Sequence, residues 1–357
     1  MRKSLLFGVV LLIALASFSS GAEETEVRQL TLEESVAMGF ENNLDLKQAA
    51  HNLSLREIEY QEAEINNLLK TSIVTLRNAE LNLKKARHAF EEKKRQLALE
   101  EITSRYFEVL KYEEKMQIEQ ISVGQSRENL EMVKNKFSLG DASELDAMQA
   151  EVSVSQAQLN LTKAENDLTL ARINLNYVLG LDLDLSVKLT DTFSLETLEI
   201  TLQDSIQKAL KNRYELVEAR DSLEFAKLKL SLKQNQYTSE IEQQKAEIGF
   251  EKEKANLEQL MRMIPVEITG SFFGLKEKET TAWISKKQAE EKEESYRIAQ
   301  AQFKAGLITT ADLLDSQIKL TQANINVLEA LFGANLARRQ FIKALAGELE
   351  KTQEKPS

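Results

Sequence analysis

Apolar residues recur along this chain in steps of three and four. Leu161, Ala164, Leu168, Ala171, Leu175 and Val178 form one run, and Leu320, Ala323, Val327, Ala330, Ala334, Ala337, Phe341 and Ala344 form another. Such steps put the apolar side chains on one helix face at a mean spacing of about 3.5 residues, the seam along which helices pack knobs into holes. Alanine at many seam positions allows close approach of neighbouring helices. The same stepping runs through Leu55, Ile58, Ile65, Leu69, Leu76, Ala79, Leu83, Ala86 and Phe90. The pattern predicts an all-α fold of long antiparallel coiled-coil helical hairpins.

The pattern is also repeated. Residues 31–53 (TLEESVAMGFENNLDLKQAAHNL) align without a gap on 201–223 (TLQDSIQKALKNRYELVEARDSL), an offset of 170. A second block aligns at an offset of 166: Glu101-Ile102-Thr103 on Glu267-Ile268-Thr269, Tyr106-Phe107 on Phe272-Phe273, and Phe137-Ser138-Leu139-Gly140 on Phe303-Lys304-Ala305-Gly306. The first half therefore carries four additional residues, about one helical turn, between about 67 and 98. A tandem repeat of this kind reads as two copies of one supersecondary unit. The expected divisions are 23–180 and 200–347 for the repeats, a less periodic linker at 181–199, and a tail at 348–357.

Local signals place the ends of the elements. Thr31 and Glu34 fit a capping box that starts a short helix. Gly140 and Gly306 fall in turns between long helices, and Gly180 falls where a helix C-cap is expected. The chain between Phe40 and Val123 holds no Gly or Pro. It reads either as one helix from 45 to 137, on the order of 140 Å long, or as a hairpin reversing at Asn66-Asn67 to Thr71-Ser72. The equally polar Asn235–Ser239 stretch in the second half favours the hairpin. Pro265 is expected to kink or break a long helix, with Gly270 and Gly274 weakening it further.

Composition narrows the chemistry. The chain has 357 residues, 29% of them charged, with two prolines, two histidines and no cysteine. Arg2 and Lys3 followed by the apolar run Leu5–Ala16 and Ser20-Gly21-Ala22 read as a signal peptide over 1–22, with an uncleaved anchor as the alternative. The net charge of −11 becomes −13 without that leader and disfavours nucleic acid as a partner. His51 and His88 lie in charged helical stretches and are expected to be solvated. Trp283 is expected to pack rather than bind. No phosphate-binding glycine loop, nucleophile elbow or metal-ligand spacing is present, so neither an enzyme nor a cofactor or metal site is expected.

The repeated blocks resemble the TolC-like outer-membrane efflux family, whose tip turns carry an aromatic residue, Gly, Ser or Thr, and then Asp. The tips here read FSLGDASELDAMQA (137–150) and FKAGLITTADLLDSQ (303–317), and the likeness covers nearly all of the chain after the leader. The resemblance implies a TolC-like α-barrel protomer, three copies of which enclose a periplasmic helical conduit. In the family, the tips meet a periplasmic adaptor (membrane-fusion) protein that links to an inner-membrane pump. Carried onto this chain, Gly140, Asp141, Ala142 and Ser143 with Gly306, Leu307, Ile308 and Thr309 would be the adaptor-facing tips. Asp146, Asp312 and Asp315 would be acidic positions at the channel entrance; equally, aspartates there favour the first turn of a helix through its dipole.

Two features depart from the family. The Tyr and Arg that in some members lock onto the aspartate at the place of Asp146 are Phe303 and Ile308 here. The strands that form the family's outer-membrane barrel do not fit between 60 and 100 or between 230 and 265, so they are read as absent or vestigial. Without them, the chain would form only the periplasmic segment of a duct or dock beneath a separate outer-membrane protein. The resemblance implies an exported component of a tripartite efflux system, in the periplasm or at the outer membrane. A coiled-coil scaffold of the envelope without a lumen is the alternative.

Overall fold

The computed structural model describes residues 28–69, 72–194 and 198–345. The expected leader (1–22), the tail (348–357) and Gly347 lie outside the described residues. In chain order the elements are β1 (Arg28–Leu30), α1 (Leu32–Asn42), α2 (Leu44–Leu69), α3 (Ile73–Gln96), a π-helical segment (Leu97–Ile102), α4 (Thr103–Leu139), α5 (Glu144–Leu179), β2 (Val187–Leu189), α6 (Leu202–Asn212), α7 (Tyr214–Lys233), α8 (Glu240–Lys304) and α9 (Thr310–Ala344).

The hairpin reading is correct at both reversal points: α2 ends at Leu69 and α3 starts at Ile73, while α7 ends at Lys233 and α8 starts at Glu240. At one pole, α4 packs on α5 and α8 on α9, with α4 and α9 in contact between the two pairs. At the other pole, α2 packs on α3 and α7 on α8, joined through α3 and α7. The long helices connect the poles; α8 alone has 65 residues, about 100 Å at the α-helical rise. The Thr31 capping box forms as expected, with Thr31 Oγ1 accepting from Glu34 N–H at 3.2 Å.

The repeat is visible in the packing. Near the waist of the first half, Leu46, Ala98, Ile102, Val109, Leu175 and Leu179 share one cluster. In the second half, Leu216, Ile264, Ile268, Leu275, Phe341 and Leu345 share the other. These are the same positions at the two offsets, so each half buries its own seam in the same way. Burying a side chain of this size contributes about 1.5–3 kcal/mol.

The four additional residues of the first half divide in two. Three lie in Leu44–Ser72, matched against Tyr214–Ser239, and the fourth in Ile73–Ile102, matched against Glu240–Ile268. That second stretch contains the π segment, whose wider turn absorbs one extra residue without ending the helix. Thr103 Oγ1 donates to the Ala98 carbonyl at 2.6 Å across this turn.

Several expectations need correction. The 181–199 stretch is more than a connector, because β2 pairs in parallel with β1 in the register Leu30↔Leu189. The buried Tyr106 hydroxyl ties this small sheet to α4, lying 3.0 Å from the Leu30 carbonyl oxygen and 2.7 Å from Asp191 Oδ2. Pro265 does not break α8, which runs through it without interruption. Pro265 lacks an N–H, so the carbonyl four residues earlier, at exposed Met261, loses its helical partner where water can replace it. Ile264 and Ile268, fully buried on either side, hold the helix against α6 and α9. His88 is not simply solvated: it stacks on Tyr214 with ring centroids 3.3 Å apart. Trp283 is 62% exposed and does little packing within the chain.

Candidate interaction tips

The two turns at the α4–α5 and α8–α9 pole are built alike. Each opens with a glycine in the left-handed region, Gly140 at φ 83° and Gly306 at φ 73°. A side chain is strained at such φ, so glycine ends the incoming helix there. Gly140 N–H donates to the Phe137 carbonyl and Asp141 N–H to the Lys136 carbonyl. Gly306 N–H and Leu307 N–H donate in the same way to Phe303 and Gln302.

Each outgoing helix then begins with a reciprocal cap. Ser143 N–H donates to Asp146 Oδ2 at 2.9 Å, and Asp146 N–H donates back to Ser143 Oγ at 3.2 Å. Thr309 and Asp312 repeat this at 3.0 and 3.2 Å. The Ser143 hydroxyl, the Ser143 N–H and the Thr310 hydroxyl of the other tip hold the Asp146 carboxyl below the usual carboxylate range. The Thr309 hydroxyl and N–H do the same for Asp312. Asp146 and Asp312 are thus capping residues by geometry, whatever else their charge does. Asp315 takes no part in the cap; it is exposed and pairs with Lys319 one turn along.

An apolar plug holds the tips together. Val133, Ala150, Tyr296, Ala299, Phe303, Leu313 and Leu320 are buried in one cluster, with Ile308 packed against it. Phe303 and Ile308, which stand where the polar lock would be, are part of this plug. Lys136 from the first tip sits 4.7 Å from the centroid of the Phe303 ring. Asp141 and Leu307 are exposed at the turns.

Just inside the plug lies a buried polar network that sequence reasoning missed. Gln317 donates to the Ser122 carbonyl at 3.1 Å and to Ser126 Oγ at 2.6 Å. Asn129 Nδ2 donates to Gln317 Oε1 at 2.6 Å, and the Tyr296 hydroxyl donates to Asn129 Oδ1 at 3.2 Å. Ser122, Ser126 and Asn129 follow seam spacing toward Val133, so a search for polar residues at seam positions would have found them. Among the described residues, no group of three or more His, Cys, Asp or Glu side chains could hold a metal ion, and no helix is long and apolar enough to cross a membrane.

This architecture, two helical hairpins in tandem with capped glycine turns at one pole, is that of an α-barrel protomer. Residues 74–181 match the family model described as outer membrane efflux protein. The Campylobacter jejuni CmeC outer membrane channel superposes with a TM-score of 0.73 at 14% identity, covering 96% of this chain and 95% of that one. The outer membrane protein VceC of Vibrio cholerae gives 0.71 at 12% identity, over 89% of this chain and 97% of that one. The open state of the Neisseria gonorrhoeae MtrE outer membrane channel gives 0.68 at 14% identity, with 91% of each chain covered. The comparison with curated proteins found no match. The chain is TolC-like in fold over nearly its whole described length, and in sequence over residues 74–181.

Proposed function

We propose that this chain is an exported component of a tripartite efflux system, acting in the periplasm and at the outer membrane as a passive helical conduit. Three copies enclose the duct. The tips Gly140–Ser143 and Gly306–Thr309 receive a periplasmic adaptor protein, and an inner-membrane pump supplies the energy. The observation that carries this reading is the pair of equivalent capped glycine tips, fixed side by side at one pole of a fold shared with outer-membrane efflux channels.

The flanks of the protomer support assembly. α5 and α8 stand at the two ends of the row α5–α4–α9–α8. α5 leaves Leu145, Met148, Val152 and Leu159 exposed at heptad spacing, and α8 leaves Phe273, Ile284 and Ile298 exposed on one face. Apolar stripes on opposite flanks suit a ring in which α5 of one copy meets α8 of the next.

The test is capture in the native envelope. Because Ser143 and Thr309 cap helices, photoreactive groups belong at Asp141 and Leu307, which are exposed and cap nothing. Capture of an adaptor by both positions, with a trimer of residues 23–357 in light scattering, supports the conduit. A monomer that captures no adaptor from either position would leave the scaffold reading in its place.

A further inference from the structure

The pole opposite the tips carries its own chemistry. Residues 65–79 and 225–239 contain no Asp or Glu, in a chain with 57 of them and a net charge of −11. They hold five cations: Lys70, Arg77, Lys227, Lys229 and Lys233. The first window straddles the α2–α3 reversal, and the second covers the end of α7 and the turn that follows, up to the acidic first turn of α8 at Glu240 and Glu242; the two hairpins lie together through α3 and α7. The acid-free zone therefore covers roughly the outermost 10 Å of the α2–α3 hairpin and of α7, while the start of α8 is acidic. The tips differ in sign: 137–150 carries Asp141, Glu144 and Asp146 and no Lys or Arg.

The same zone exposes large apolar side chains. Leu68 is 85% exposed, Leu69 77% and Tyr237 89%, with Ile73 also exposed. These residues sit at the turns, where no neighbouring helix of the chain covers them. Arg77 is partly neutralised by Glu80 just behind the zone and Lys233 by Glu242 in the first turn of α8, while Lys227 and Lys229 are exposed. A groove of about 690 Å³ between α3, α7 and α8 lies beside them, lined by Val74, Phe225 and Leu232, by four lysines including Lys229, and by Glu242 and Glu253. Apolar tips ringed by cations, an exposed tyrosine and a depth of about 10 Å match the headgroup layer of a bilayer.

We propose that this pole seats on an anionic lipid surface. The turn residues Leu68, Leu69, Ile73 and Tyr237 enter the headgroup layer, and Arg77, Lys227, Lys229 and Lys233 meet lipid phosphates. The cations favour lipid over an apolar protein partner, since charge repeats on both hairpins while the apolar residues do not share one helix face. The inference uses only the charge and exposure of this pole, so it stands or falls separately from adaptor docking at the tips.

The experiment is sedimentation of residues 23–357 with lipid vesicles. This fragment keeps every described element and removes Leu5–Ala16, an apolar run that would itself bind lipid. Vesicles of phosphatidylglycerol mixed with phosphatidylcholine are compared with phosphatidylcholine alone, at low and high salt. Binding to the anionic vesicles that salt reverses is expected. Each surface lysine contributes about fivefold, so the neutralising variant K227Q/K229Q/K233Q should weaken binding roughly 100-fold. L68S/L69S/Y237S should release the protein as well, with circular dichroism confirming retained helix in both variants. Equal binding to neutral vesicles, or variants that bind as the parent does, overturns the proposal. So does indifference to both vesicle types combined with protease-sensitive binding to outer-membrane fragments, which would identify a protein receptor instead.

Discussion

Replacing Gln317 by Leu tests whether the buried network inside the tips holds the two hairpins together. Gln317 is 2% exposed and lies on α9, facing α4. Its amide donates twice and accepts once across that interface. Leucine fills a similar volume but makes none of these bonds. The Ser122 carbonyl still receives its helical partner, and the Ser126 hydroxyl can turn to its own helix. The Asn129 amide, fully buried, is left with a donor and no acceptor. Lost bonds and one stranded group together cost about 2–4 kcal/mol. At 1.4 kcal/mol per factor of ten, local opening of the α4–α9 contact rises roughly 30- to 700-fold. Hydrogen exchange of peptides covering 122–133 and 310–323 reads this directly, with urea unfolding as the global measure. The double variant Q317L/N129L should recover part of the loss, because the stranded Asn129 donor is removed while the Tyr296 hydroxyl, which loses Asn129 Oδ1, keeps Gln300 as a partner at 3.0 Å. A cost below about 1 kcal/mol for Q317L, or strict additivity in the double variant, would refute the claim that these residues act as one clasp.

Other substitutions probe separate features. Pro265→Ala restores the hydrogen bond to the Met261 carbonyl in a helix that already continues unbroken through this position; it should stabilise the protein by about 1–3 kcal/mol, read as a higher urea midpoint. No gain, or a loss, would mean that Pro265 sets a bend the packing of Ile264 and Ile268 requires. Ser143→Ala and Thr309→Ala should each cost about 1 kcal/mol and speed exchange only in the first turns of α5 and α9; equal exchange along the whole helix would contradict a purely local cap. Burial holds the His88 pKa below its ordinary value near 6.5, against the opposing pull of Glu218 and Glu91. The unfolded chain therefore binds the proton first, and stability should fall as pH drops from about 7 through 6.5 toward the lowered folded value. His88→Phe keeps the ring beside Tyr214 and should flatten that stretch of the stability curve; an unchanged slope would place the titration elsewhere.

The fold was legible because its physics is local and periodic. Seam residues such as Ala164, Leu168 and Ala171 are buried as their spacing predicts, and the two offsets of the repeat relate the residues of the two waist clusters. The turn-prone stretches 66–72 and 235–239 marked the reversals, although α2 runs on through Asn66 and Asn67 to Leu69. What escaped depends on contacts between distant segments. The β1–β2 pairing joins residues about 160 apart in three-residue strands, although Leu181, Leu183, Leu185, Val187 and Leu189 do alternate with polar residues. The His88–Tyr214 stack exists only because α3 lies beside α7. The break allowed at Pro265 does not occur, for a different reason: a helix buried on both sides of a proline can absorb one lost hydrogen bond when the freed carbonyl faces water.

The tips show how far sequence carries a site. Glycine, Ser or Thr, and then Asp marked the turn and placed the aspartates in the first turn of the next helix, and the structure adds the reciprocal cap. The same pattern cannot show what the aspartate charge is for, because capping alone accounts for Asp146 and Asp312. Asp315 separates the two roles. It lies beyond the cap, exposed and paired only with Lys319, so the start of α9 does not need it. Asp315→Asn should leave exchange at Thr309–Asp312 unchanged, whereas Asp312→Asn should speed it. If three copies focus carboxylates on one axis, both variants should alter export of cationic substrates in cells carrying the native partners, in the same direction. If Asp315→Asn leaves export untouched while Asp312→Asn impairs it, the effect follows the cap and the acidic ring is not a functional feature of this chain.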